Sequence, residues 1–175
     1  MPAAATAQTP APAQRAGLAR RLVALLYEAL LLVALVFIAS FLLTPLVSPG
    51  SARSGMLVVP TLAGRIVSLV ALFSLAAAFY TWSWSEGRRT LPMKTWRLAL
   101  VTVDGERTSR RRAFGRYLAA WIGPALALSA YAALSPRGLG AIAWPLLFIN
   151  WLAAIADPER QFLHDRIART RIVST

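Results

Sequence analysis

"RRLVALLYEALLLVALVFIASFLL", residues 20–43, is almost unbroken apolar sequence with one carboxylate, Glu28, inside it. A hydrocarbon core about 30 Å thick is crossed by about 20 helical residues at roughly 1.5 Å each, so this run is long enough to span a bilayer. A secretory signal peptide would show a shorter apolar region followed by a small-residue cleavage site. The run therefore reads as a membrane anchor, and Glu28 becomes the residue to explain.

The rest of the 175-residue chain agrees. Hydrophobic residues make up 57% and charged residues 15%, the profile of an all-α, multi-pass membrane protein rather than a soluble domain. Four transmembrane helices are expected, near 22–44, 62–84, 117–134 and 139–156. The last two are short and separated only by "SPRG", which predicts a helical hairpin turned by Ser135, Pro136 and Gly138. Sixteen of the nineteen Lys and Arg residues lie in 15–21, 88–116 and 160–171, and only Arg53, Arg65 and Arg137 lie at the opposite helix ends. That asymmetry predicts both termini and the 85–116 loop on the cytoplasmic side. The net charge of +12 is then concentrated beside helix ends. Anionic lipid headgroups are its expected counter-charge there, and nucleic acid is not an expected partner.

The composition also narrows the chemistry. The chain has no cysteine and one histidine, which removes disulfides, thiolate metal sites and thiol nucleophiles, and leaves too few ligands for a catalytic zinc. Neither a nucleophile–base pair nor a phosphate-binding loop is visible, so no enzyme, metal or cofactor is expected.

Outside the apolar segments the chain is uneven. Residues 1–19 open with "MPAAATAQTPAPAQ", which cannot bury enough surface to order itself and reads as a disordered tail; residues 20–175 form the membrane domain. "SPGSARSGMLVVP", residues 48–60, reads as an external loop, and Trp82, Trp84, Trp121 and Trp144 read as interfacial anchors. In the cytoplasmic loop, residues 98–103 are strand-like and lead into Asp104–Gly105, a tight-turn signal. The terminal "RTRIVST" has similar character, and pairing the two would build a small cytoplasmic cap. The alternative is an amphipathic segment in the headgroups, because "MKTWRL" sets Trp96 between Lys94 and Arg97.

Glu28 lies seven residues after Arg21, close to two full turns, so the two share a helix face about 10 Å apart along the axis. A charge at the bilayer centre costs about 2.5 kcal/mol or more, and less near an edge. Glu28 should therefore face protein. One reading has it carry a proton or coordinate a cation; the other has it pair with an arginine and lock the bundle. Asn150 is expected to bond across to another helix. In "DPERQFLHDRIARTRIV", residues 157–173, Asp157 before Pro158 suggests the cap of a new short helix. His164 stands alone and suits packing better than metal binding, and Asp165 has Arg160, Arg166 and Arg169 nearby as cationic partners.

Together "RRLVALLYEALLL", "RRTLPMKTWRLALVTVDG" and "DPERQFLHDRIARTRIV" resemble the RDD family of bacterial integral membrane proteins, named for an arginine and two aspartates. The resemblance covers most of the chain after the tail. It implies a bacterial inner-membrane location and matches Arg21 to the family's arginine, Glu28 to the aspartate of the first helix and Asp165 to a further acidic position. Glutamate for aspartate keeps the charge and adds a methylene. The family's "GxTLG" pattern is replaced here by Arg88 and Pro92 around "TLPMK", which predicts a stiffer loop. Small-cation/proton exchange is proposed for some members, so the resemblance implies Na⁺ or H⁺ as substrates, with Glu28 and Asp165 as carboxylate sites. The other class is a non-transporting membrane partner or scaffold with an arginine-rich cytoplasmic face. Small residues at Ala76, Ala77, Ala78, Ala119, Ala120 and Gly123 would allow close helix contacts or a homo-oligomer.

Overall fold

The computed structural model describes residues 16–47, 52–54 and 57–175, with side chains described for 16–46 and 60–175. Most of the tail expected at 1–19 lies outside the described residues. Its last residues are ordered: Ala16 is buried, its amide donates to the carbonyl of Ile172 at 3.3 Å, and helix α1 begins at Leu18.

The first helix, α1 (Leu18–Val47), carries Pro45 in its last turn. A short hairpin follows, β1 (Ala52–Ser54) against β2 (Leu57–Val59), where an irregular loop was expected. Thr61 caps α2 (Leu62–Ser83) by accepting the Gly64 amide at 3.1 Å. At about 1.5 Å per residue α1 reaches about 45 Å and α2 about 33 Å, each enough for the hydrocarbon core. Apart from a few small or polar positions their surface is exposed Leu, Val, Ile and Phe. Lipid can solvate such a surface as well as a core can, so it needs no protein cover.

The segment "TLPMK" is not the stiff loop its proline suggested. Thr90 is the N-cap of α3 (Leu91–Thr95), accepting the Met93 amide at 3.3 Å, with Pro92 in the first turn. Proline is favoured there because the missing N–H would have no helical partner anyway. Strand β3 (Leu98–Thr102) follows and pairs antiparallel with β4 (Thr170–Ser174), Leu98 opposite Ser174 and Thr102 opposite Thr170. The cap of short strands is therefore real, and the headgroup-helix alternative fails beyond Thr95. Asp104–Gly105 makes the expected turn, with Gly105 at φ 87° and its amide donating to the carbonyl of Thr102.

Ser109 caps α4 (Arg110–Ala120), which continues past an irregular residue, Trp121, into α5 (Ile122–Leu134). The third membrane segment thus begins seven residues before the expected 117, inside the stretch taken as cytoplasmic loop. A 3₁₀ turn over Ser135–Arg137 and Gly138 at φ 72° reverse the chain as the "SPRG" signal predicted. The return limb is 3₁₀ over Gly140–Phe148, with Pro145 inside it, then α6 (Ile149–Ala156). Among the described residues three helices are long and apolar enough to cross a membrane, and this fourth segment is shorter. The 3₁₀ rise of about 2.0 Å per residue stretches it to about 30 Å all the same. Gly123 lets it approach α5: a Cβ there would sit 3.0 Å from the carbonyl oxygens of Leu146 and Leu147.

After α6 no helix starts at Pro158. Asp157 instead closes a turn, its Oδ2 accepting the Gln161 amide at 2.8 Å, and α7 (Leu163–Ile167) begins later, after Phe162. The buried core lies at the cap end, where Ala16 and Ala24, the end of α2 with Tyr80 and Trp84, Met93, Leu98 and Leu100, Ala113 and Tyr117, and Ile172 come together.

Candidate functional site

Three elements, α1, α4 and α7, deliver charged side chains into that cap end. On α1 the buried positions Arg21, Ala24 and Glu28 recur at helical spacing, so Arg21 and Glu28 do share an inward face. Arg21 Nη2 donates to the carbonyl of Arg160 at 2.8 Å, and its guanidinium stands 5.6 Å from the Phe162 ring centroid. Glu28 Oε1 accepts the Thr90 hydroxyl at 2.5 Å. Thr90 therefore serves two helices, capping α3 and anchoring the carboxylate of α1.

The third contributor is Arg116 on α4. Its Nε donates to Asp165 Oδ1 at 2.7 Å, with the two side chains only 4% and 1% exposed. Its Nη2 lies 3.3 Å from His164 Nε2, and its guanidinium lies 4.1 Å over the Trp84 ring. The partner of Asp165 is thus Arg116 and not the neighbouring Arg160, Arg166 or Arg169. Arg166 reaches Asp157 instead, at 2.7 Å. Trp84, expected as an interfacial anchor, is 5% exposed and forms the floor beneath Arg116, while Trp82 is exposed with Arg88 5.0 Å from its ring.

Electrostatics follow from burial. Desolvation pushes the Asp165 carboxyl up, but the charge and hydrogen bond of Arg116, with His164 and Arg21 adding to the pull, together outweigh it, and the net shift is downward. Asp165 is held ionised. Burial pushes His164 down from 6.5 to about 4, with the Arg116 charge adding to the effect against Asp165, so the ring is neutral at pH 7. In that state Nε2 accepts from Arg116, and the ring proton sits on Nδ1, which is buried without a hydrogen-bond partner among the described residues. The charges of Arg116 and Asp165 also act on Glu28.

Arg21, Glu28, Arg116 and His164 line a cavity of about 20 Å³, room for about one water molecule. A second cavity of about 370 Å³, lined by Glu28, Tyr80, Trp84, Arg116, Trp121 and Trp151 among others, flanks the same carboxylate. Two arginines and two carboxyl groups are enclosed together in this centre. Among the described residues no three His, Asp or Glu side chains gather as metal ligands would.

The sequence-predicted Arg21, Glu28, His164 and Asp165 are thus gathered at one place. Asn150 and Asp157 serve elsewhere: Asn150 Nδ2 donates to the carbonyl of Ala120 at 2.9 Å, tying α6 to α4, and Asp157 staples the 157–166 turn. Sequence reading missed Arg116, Thr90 and Trp84. Arg116 had been counted only among the basic residues of the loop. Its signal was its phase, since Ala113, Arg116 and Tyr117 fall on one buried helix face.

No curated protein and no solved structure matches the chain. The RDD family model matches residues 15–169, a range that holds every residue of this buried centre, and the chain belongs to the RDD family.

Proposed function

We propose that this RDD-family protein is a non-transporting membrane scaffold or partner subunit, in which the buried centre clamps the cytoplasmic cap to the membrane helices. The observation that carries this reading is how the two arginines are held: Arg116 is committed to Asp165 at 2.7 Å, and Arg21, which donates to the Arg160 carbonyl, lines the same cavity of about 20 Å³ as Arg116 and Glu28. A cation entering there would meet two guanidiniums at close range and would have to displace one of them. The chain would sit in the bacterial inner membrane with four spans and both termini cytoplasmic, as the basic residues on the cap side support.

A second reading, small-cation/proton exchange through Glu28, is favoured by one feature. Glu28 is held by a neutral hydroxyl and lines the larger cavity of about 370 Å³, so its proton could exchange without breaking an ion pair. Proteoliposomes driven by Na⁺, Li⁺ or K⁺ gradients separate the two. The scaffold reading expects no proton movement above empty liposomes. Cation-dependent flux that vanishes in folded Glu28→Gln protein would overturn it in favour of exchange.

A further inference from the structure

Three arginines surround one shallow groove on the cap side of the molecule. Arg111 and Arg112 stand in the first turn of α4 and Arg169 between α7 and β4, and with Gly115, Ile167 and Ala168 they line a groove of about 330 Å³. Neighbouring arginines are neutralised: Arg110 pairs with Glu86 at 2.8 Å and Arg166 with Asp157 at 2.7 Å. Among the described residues no carboxylate pairs with Arg111, Arg112 or Arg169, and all three are exposed. Like charges collected round one concavity repel each other, and an anion seated among them reverses the sign of that interaction.

The surroundings select the kind of anion. The groove lies where α4 enters its apolar span, and on the same helix Phe114 and Leu118 are each 43% exposed, while Ile167 in the groove wall is 53% exposed. An occupant must therefore be anionic at the arginines and apolar beside them. A free phosphate meets only the first condition; a phospholipid of the adjoining leaflet meets both. The backbone is consistent with a demand for arginine here. Arg169 follows the C-cap Ala168 of α7 at φ 51°, a left-handed position that glycine occupies without steric cost.

We propose that the Arg111, Arg112 and Arg169 groove binds the headgroup phosphate of an anionic phospholipid, with its acyl chains on the exposed apolar side chains alongside. The inference needs only a membrane protein and is independent of the scaffold reading. The test uses the full chain in mild detergent, titrated with phosphatidylglycerol, phosphatidylcholine or inorganic phosphate, with bound lipid counted by native mass spectrometry and melting followed by tryptophan fluorescence.

Phosphatidylglycerol should be retained in preference to phosphatidylcholine. Replacing all three arginines with glutamine should weaken that retention about fivefold per charge, or about a hundredfold together. Arg169→Gly should melt higher without lipid yet retain less phosphatidylglycerol, whereas Arg97→Gly, which relieves a left-handed arginine outside the groove, should melt higher and retain the lipid as before. Equal retention of the two lipids, undiminished retention in the triple variant or in Arg169→Gly, or protection of the wild-type protein by inorganic phosphate as strong as by the lipid would each overturn the proposal. Because Arg169→Gly relaxes the backbone, it decides the question even if the triple variant fails to fold.

Discussion

Arg116→Met should be the most damaging single substitution in the cap. The guanidinium lies 2.7 Å from Asp165, and both side chains are almost wholly enclosed. Removing it leaves a buried carboxylate without its hydrogen-bonded counter-charge. Breaking a buried pair from one side costs about 3–5 kcal/mol, because the surviving charge keeps its desolvation penalty and loses its compensation. Methionine fills much of the same volume, so little of that cost comes from a cavity. For a chain of this size about 2–4 °C of melting temperature corresponds to each kcal/mol, which gives a loss of about 6–20 °C. Thermal unfolding in detergent, followed by tryptophan emission, reads the change directly because Trp84 lies under the guanidinium. The double variant Arg116→Met with Asp165→Leu removes both charges and should recover most of the loss. A single variant melting within about 2 °C of the wild type, or a double variant as unstable as the single, would refute the claim that the pair holds the cap.

Stability should also depend on mild acid through His164, whose folded pKa is lowered to about 4 from 6.5. Below pH 6.5 the unfolded chain takes up a proton that the folded chain refuses, so stability is full above that value and falls as the pH drops towards 4, by about 3 kcal/mol in all. His164→Gln should flatten chemical-denaturation midpoints over that window, and an unchanged slope would count against the buried neutral ring. The Asp165 contribution, from a lowered carboxyl, should persist through this window and disappear only below its ordinary 3.8. Gly123→Val should destabilise the α5 hairpin by about 1–3 kcal/mol, since its side chain meets the backbone oxygens of residues 146 and 147; a melting temperature equal to that of the wild type would show that the hairpin is looser than described. Because the chain has no cysteine, single substitutions report topology cleanly. Asp104→Cys should label with a membrane-impermeant maleimide only from the cytoplasmic side and Arg137→Cys only from the other, and labelling of both from one side would remove the proposed orientation.

The membrane spans, the "SPRG" hairpin and the Asp104–Gly105 turn follow from local rules: apolar length and turn chemistry. Each depends on neighbours in the chain, so each is readable from the chain. The failures share a different cause. Asp157 and Pro158 look locally like a helix start, but Asp157 is drawn into a turn by the Gln161 amide and by Arg166. Trp84 looks like an interface anchor, and is buried in the core cluster beside Tyr80, with Arg116, thirty-two residues later, over its ring. The return limb at Gly140–Ala156 was expected as a helix, and most of it is 3₁₀, a geometry that no composition rule predicts.

The sequence by itself determined that this chain lives in a membrane, that its arginines collect at one end of the helices, and that Arg21 and Glu28 share a face. Hydrophobic length, charge asymmetry and helical phase suffice for those conclusions because none involves a distant residue. Tertiary structure alone decided the partners: Thr90 for Glu28, the Arg160 carbonyl for Arg21, and Arg116 for Asp165. The chain holds nineteen Lys and Arg residues against seven Asp and Glu, so charge matching on paper leaves many arginines open to each acid. Burial removes that degeneracy, because a charge taken out of water is tolerable only beside the few opposite charges and donors enclosed with it.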